Sequence, residues 1–441
     1  MQAEGKDWIT RNPNFNQEFQ QYNRQTFDAK VKLEPWKDVR IDLKFTKNYD
    51  VSNSQFYRQK DTLSGFQQFG LNEFGSYDVT FFSLNTLFND GRENLERMFN
   101  DFEEARAVIS QNYDNDPNAG THVEDGSQYA NGYGGASQDV LIPAFLAIYR
   151  GRDVNTVDLS EDLTSNISKT SYIPAPNWTL SYSGLSKLDF FKDFVKSFTV
   201  QHGYNNNLRV SRFNNDLSFD PTLEFQYQQE LNMKGDYYSR IEIPNLSITE
   251  RFEPLIGIEL KTVNDANFTF RYTKSRTLDL LLVENGLNES RRTEFILGLG
   301  FTFRGVNIGF LTGDKGGKSR GRSRDEADNS SNQNTGRNTR GGRNDDNNAG
   351  VNDNRGRNLL FNLDFKISDD VTYNNLLDSG QGFVPIRGTK TITISPYIDY
   401  EVNQDFTLQF FFDYQKTSPY TLGSNDRINI NSGFKLRFNL N

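Results

Sequence analysis

The chain has 441 residues, no cysteine, two histidines and a net charge of −9. These counts exclude disulfide frameworks, thiolate metal sites and cysteine nucleophiles. They also argue against imidazole-rich metal sites, most catalytic triads and general nucleic-acid binding. The 37 Phe and 20 Tyr sit in a chain whose mean hydropathy is −0.72. So many rings in so polar a chain must be sorted by position, as they are in membrane barrels, where alternate residues face lipid and a wet interior.

No run of about 18 apolar residues occurs, so no transmembrane helix is expected. The longest apolar stretch, LIPAFLAIY at 141–149, is short and contains Pro143. The N-terminal residues lack the apolar core of a signal peptide. The chain therefore reads as a piece of a longer surface protein.

In chain order, VRIDLKF puts Val39, Ile41, Leu43 and Phe45 on one face and Arg40, Asp42 and Lys44 on the other. Leu95, Met98, Phe99, Phe102 and Ile109 form a helical stripe, with Asp90 and Glu93 placed to cap its start. Residues 115–140 read as turn-rich loop. At 173–204 the period changes. Trp178, Leu180 and Tyr182 alternate like a strand, Leu185, Leu188, Phe191, Val195 and Phe198 recur like an amphipathic helix, and Phe198, Val200 and His202 alternate again. The spacing predicts a strand, an inserted helix and a second strand.

Period-2 segments dominate the rest: NFTFRYT from Asn267, EFILGLGFTF from Glu294, LFNLDFKI from Leu360, FTLQFFFDY from Phe406 and the closing GFKLRFNL. Roughly fifteen such stretches occur, the pattern of antiparallel sheets with one wet face. Segments 254–275 and 396–418 repeat one hairpin plan. Pro396 should bend or begin its strand. At Arg304–Gly305 the apolar register shifts, marking either a β-bulge or a tight turn. Residues 313–358 carry almost no apolar side chains and read as a disordered loop between strands.

Chemistry-bearing motifs are weak. GYGGAS at 132–137 lacks the Gly-Lys-Ser/Thr ending of a phosphate loop. The carboxylates of 114–125 lack EF-hand spacing. His202, near Asp189, Asp193 and Ser197, completes no recognisable hydrolase set. No catalytic, cofactor or metal site is expected.

Several long segments carry a resemblance: DVLIPAFLAIYRGRD (139–153), YIPAPNWTLSYSGLSKLDFFKDFVKSFTVQHGY, RTEFILGLGFTFR, LLFNLDFKISDDVTYN, ISPYIDYEVNQDFTLQFFFDYQKTSPY and the final INSGFKLRFNLN. In this order they are similar to the C-terminal region of the SprA/Sov family over most of 139–441. That family is the outer-membrane translocon of the type IX secretion system.

The resemblance implies an all-β fold: an antiparallel transmembrane segment of a very large β-barrel, with inserted amphipathic helices and long loops. Residues 1–170 would be a mixed strand and helix region, and 171–441 the C-terminal barrel strands. It implies export of folded cargo, support of gliding motility in some relatives, and no enzymatic role or cofactor. The implied partners are secreted cargo proteins, a PorV-like barrel, a periplasmic plug protein and the lipid bilayer, with no nucleic acid. The implied location is the outer membrane of a Gram-negative, Bacteroidota-type cell. Lipid-facing candidates are Leu408, Phe410, Phe412, Phe361, Leu363 and Phe365. The stripe Leu185, Leu188, Phe191, Val195 and Phe198 would pack on the inner wall, in a cap, or outside the membrane on a turn. Two other classes stay open: a porin or TonB-dependent transporter, and an aromatic-rich β-sandwich surface adhesin.

Overall fold

The computed structural model describes residues 16–59, 66–88, 91–114, 128–157, 173–223, 228–306, 357–380, 382–402, 405–421 and 423–438, with isolated residues beside them. The predicted loop at 313–358 lies almost wholly outside the described residues, as do Asp90 and most of 114–125.

Among the described residues thirteen strands form one sheet. They are β1 (Phe19–Leu33), β2 (Val39–Gln59), β3 (Phe66–Thr80), β4 (Asn177–Tyr182), β5 (Val195–Asn215), β6 (Ile241–Glu242), β7 (Asn245–Thr262), β8 (Asn267–Leu281), β9 (Gly286–Phe303), β10 (Leu359–Leu376), β11 (Val384–Glu401), β12 (Phe406–Pro419) and β13 (Arg427–Phe438). Among the described residues three helices accompany them: α1 (Leu84–Leu87), α2 (Arg92–Asp114) and α3 (Gln138–Arg150). The period-2 readings and the α2 stripe correspond to these elements, because successive side chains of a strand point to opposite faces of the sheet and α2 buries Leu95, Met98, Phe99, Phe102 and Ile109.

The expected barrel is not what forms. The strands follow one open path, β1-β2-β3-β5-β7-β8-β9-β10-β11-β12-β13, with β4 and β6 off it. Every neighbouring pair on the path is antiparallel. Among the described residues β1 pairs only with β2, and β13 only with β12. The path has eleven positions, so its two end strands run the same way. Joining them would need a parallel seam, whereas bacterial single-chain barrels close all-antiparallel with an even number. The sandwich alternative also differs from the observed fold, because a single continuous sheet replaces two stacked ones.

One position in the sheet is built from two pieces of chain. β3 pairs with the far part of β2, and β4 with its beginning. Both also pair with β5. The chain leaves this shared position at Thr80 and returns at Asn177, so all three helices are inserted at a strand break. Side chains close the gap. Thr46 N–H donates to Thr80 Oγ1 at 3.1 Å, Ala175 N–H to the Thr80 carbonyl at 2.9 Å, and Asn206 N–H to Asn177 Oδ1 at 2.8 Å. These bonds satisfy backbone groups that an interrupted ladder would leave bare.

The inserted helices cover one face of the sheet. Their apolar side chains join Tyr49, Val51, Tyr77, Val79, Leu208, Val210, Leu246, Ile248, Leu278, Leu280 and Leu287 in one core. Helix α3 holds Pro143 in its interior. Proline has no N–H for the carbonyl four residues back, Asp139. The Tyr113 hydroxyl of α2 donates to that carbonyl at 3.3 Å, which ties the two helices together.

One local expectation is corrected and two are narrowed. The helix predicted over Leu185–Phe198 is a single 3-10 turn, Gly184–Lys187, followed by turns and the start of β5 at Val195. The spacing of Leu185, Leu188 and Phe191 suits a tight turn as well as a helix, and pairing of β4 with β5 draws the chain back into the sheet. Pro396 does not begin its strand. It lies inside β11 opposite Leu363, and the ladder from β11 to β12 simply skips it. The shift at Arg304–Gly305 is a turn: β9 ends at Phe303, Gly305 has φ 74°, and Val306 N–H bonds the Arg357 carbonyl at 3.0 Å.

Candidate functional site: one sheet face with three bands

The face that carries the helices has three bands along its strands. On β8 it presents Phe268, Phe270, Tyr272, Lys274, Arg276, Leu278 and Leu280. Leu278 and Leu280 are buried under helices, Lys274 and Arg276 are buried polar groups, and Phe268, Phe270 and Tyr272 are half-exposed. The adjacent strands repeat this order. β9 shows Leu287, Glu289 and then Phe295, Leu297, Leu299, Phe301 and Phe303, paired in unbroken register with β8.

The middle band is a closed polar network. Glu250 and Arg276 lie opposite each other on β7 and β8 and are buried. The guanidinium donates to Glu250 Oε2, from Nε at 3.1 Å, and also to the Thr86 carbonyl at 2.9 Å and Thr86 Oγ1 at 2.7 Å. Ser83 Oγ, Asn206 Nδ2 and the Tyr204 hydroxyl donate to Glu250 Oε1. Thr86 Oγ1 reaches on to the Tyr149 carbonyl of α3 at 2.8 Å. Full partnering is what allows a buried ion pair to persist. Chemically the network clamps α1 and α3 onto the sheet; it is closed off from substrate. Sequence reading missed it, although a signal existed: Glu250 and Arg276 occupy the apolar phase of their strands.

The third band is the same face without helices. It includes Leu43 and Ile41 on β2, Phe198 and Val200 on β5, Ile258 and Leu260 on β7, and the apolar rows of β8 to β13. All six lipid-facing candidates lie here. Phe361 is opposite Phe301 and Ile398, Leu363 opposite Leu299 and Pro396, and Phe365 opposite Leu297 and Ile394. Leu408 is opposite Tyr400 and Leu436, Phe410 opposite Ile398 and Phe434, and Phe412 opposite Ser432. Rings meet across strands: Phe270–Phe295 at 5.0 Å, Phe410–Phe434 at 5.1 Å and Phe406–Phe438 at 4.8 Å. The reverse face is polar, where Glu294 binds Lys366 at 2.7 Å and Arg292 at 3.0 Å.

The other predicted residues scatter. Val195 is buried at the start of β5, Phe198 joins the uncovered band, and Phe191 packs edge-on against Phe198 at 5.5 Å. Leu185 lies in the 3-10 turn and Leu188 is exposed just after it. His202 Nδ1 is 2.7 Å from the Leu255 carbonyl, and its ring lies between Trp178 and Phe252. The glycine loop leads into α3, but Gly134 N–H is taken by Asp236 Oδ1 at 2.7 Å, a carboxylate of the chain itself. Burial lifts the Asp236 carboxyl above its ordinary range. No metal-binding group of three or more ligands occurs among the described residues.

A protein-conducting channel needs a closed wall around its pore. The open path, with no strand on the outer edge of β1 or β13 among the described residues, removes that basis, and with it the type IX translocon reading and the secretion and motility roles attached to it. No protein-family model and no curated protein matches the chain.

Proposed function

We propose that the chain is a non-enzymatic binding protein of the cell surface, nearer in kind to an adhesin than to a channel, whose working part is the uncovered aromatic band. The band rests against the apolar layer of the outer-membrane lipid, and the polar reverse face meets water or other proteins. One observation carries this reading: a single sheet face is sealed by helices over half its length and left bare, yet equally apolar, over the rest.

Antiparallel sheets usually pack one face and wet the other. A bare apolar area spread over so many strands marks an interaction site. Its length fits lipid. Phe295–Phe303 and Leu359–Ile367 each place five apolar side chains on alternate positions. At ~3.3 Å per residue the two ends of such a row lie about 26 Å apart, close to the ~25 Å height of the apolar band of outer-membrane proteins.

Flotation of the purified chain with phospholipid vesicles tests this. The chain should rise with the vesicles, and a Phe295→Ser, Phe365→Ser, Phe410→Ser variant should stay at the bottom of the gradient while keeping its β-sheet circular dichroism. A parent chain that remains at the bottom overturns the lipid reading.

A further inference from the structure

We infer that the open edge of β13 is a docking site for an extended partner segment with apolar residues on alternate positions and carboxylates between them. This does not rest on the lipid reading, because it concerns the edge and its charges.

Every residue of β13 is exposed except half-buried Gly433. Its outer backbone groups face no strand among the described residues. Natural edge strands are shielded by charged side chains, lysine above all, by prolines, by bulges or by a covering element. β1, the other edge, has such shielding: Arg24 pairs with Asp50 at 2.6 Å, and Asp28 stands among Lys30 and Lys32. β13 has neither proline nor register shift, and its charged side chains are cations alone, so its shielding is of one sign.

Two features specify the partner. Ile428, Ile430, Phe434, Leu436 and Phe438 continue the apolar face to the very edge, with Phe434 70% exposed. An incoming strand must match them with apolar side chains in the same phase. On the other face Arg427, Lys435 and Arg437 are the only charged residues of the strand. Across the ladder they meet Thr417, Gln409 and Thr407, none of them acidic. The nearest carboxylate in sequence, Asp426, is already bound by Lys416 at 2.8 Å. Among the described residues these three cations therefore meet no carboxylate directly across the ladder, and Lys435 Nζ rests over the Phe411 ring, 4.7 Å from its centre. A strand added outside can place acidic residues opposite Lys435 and Arg437, two positions apart, with an apolar residue between. Main-chain bonds would give affinity and the alternate side chains specificity, as in strand addition generally.

The test uses the full chain and fluorescent twelve-residue peptides, read by anisotropy. A peptide of alternating valine and glutamate should bind saturably at one per chain. A peptide of alternating valine and lysine should bind about tenfold more weakly, since like charges opposite each other oppose pairing. The Lys435→Glu, Arg437→Glu variant, folded by circular dichroism, should reverse that preference. The glutamate peptide N-methylated at every residue should not bind. Absence of saturable binding, an unchanged preference in the charge-reversed variant, or equal binding of the N-methylated peptide overturns the proposal.

Discussion

Glu250 and Arg276 stand opposite each other on neighbouring strands and form a fully buried ion pair whose guanidinium also holds Thr86 of α1. This contact sits at the boundary between the helix-covered and bare halves of the face. It fixes where the inserted helices end.

Breaking the pair from one side should cost heavily. Glu250→Gln or Arg276→Met leaves one charge uncompensated in the interior, and each should lose about 3–5 kcal/mol by urea denaturation. The double variant should lose much less than the sum. Additive losses would show that the two groups are independently stabilised.

Tyr113→Phe should cost about 1 kcal/mol, because it removes a hydrogen bond to the Asp139 carbonyl. In a Pro143→Ala background the helix can supply its own N–H to that carbonyl, so the cost of Tyr113→Phe should shrink. An equal cost in both backgrounds would assign the effect to ring packing.

Arg106 is buried and bonds both oxygens of Asp378, at 3.0 and 2.7 Å. This bonding holds the Asp378 carboxyl below its ordinary value of 3.8, against a smaller opposing effect of burial. A depressed carboxyl contributes stability that is present above that ordinary value and lost as pH falls through the lower folded one. The chain should therefore outlast Asp378→Asn near neutral pH, and the gap between their denaturation midpoints should close as acidity passes below that range. Because Asp378 is largely exposed, the effect should be modest. A gap constant from pH 7 to acid would contradict the assignment.

Lys30 and Lys44 face each other across β1 and β2. Like charges directly opposite destabilise a ladder, so Lys44→Glu should raise stability by ~0.2–1 kcal/mol, diminishing as salt is added. A loss of stability would show that Lys44, like Lys30 with Asp28 at 3.8 Å, already has an anionic partner.

The strands were legible because their side chains alternate without interruption, as in Phe361, Leu363, Phe365 and Ile367 on β10. The α2 stripe was legible because its burial is local to one helix. The insertion at Thr80–Asn177 was not, since nothing in either short stretch says that two distant segments share one sheet position. The Leu185–Phe198 stripe misled because three apolar residues at turn spacing followed by a strand mimic a helical period. Closure is a property of how the first and last strands meet, and the alternation of β1 or β13 is the same with or without a neighbour. The six candidates from Phe361 to Phe412 do share one face, a consequence of register that alternation foretold. What covers that face depends on partners outside the chain.

The placement of the bare band against lipid is tested most directly by tryptophan quenching in vesicles brominated along their acyl chains. Phe365→Trp and Asp364→Trp place an indole on opposite faces of one strand, one residue apart. Each spectrum is compared with that of the parent, which supplies the background of its three native tryptophans. The account predicts strong quenching of the added signal at 365 and almost none at 364. Equal quenching at both positions, or none at 365, would contradict it.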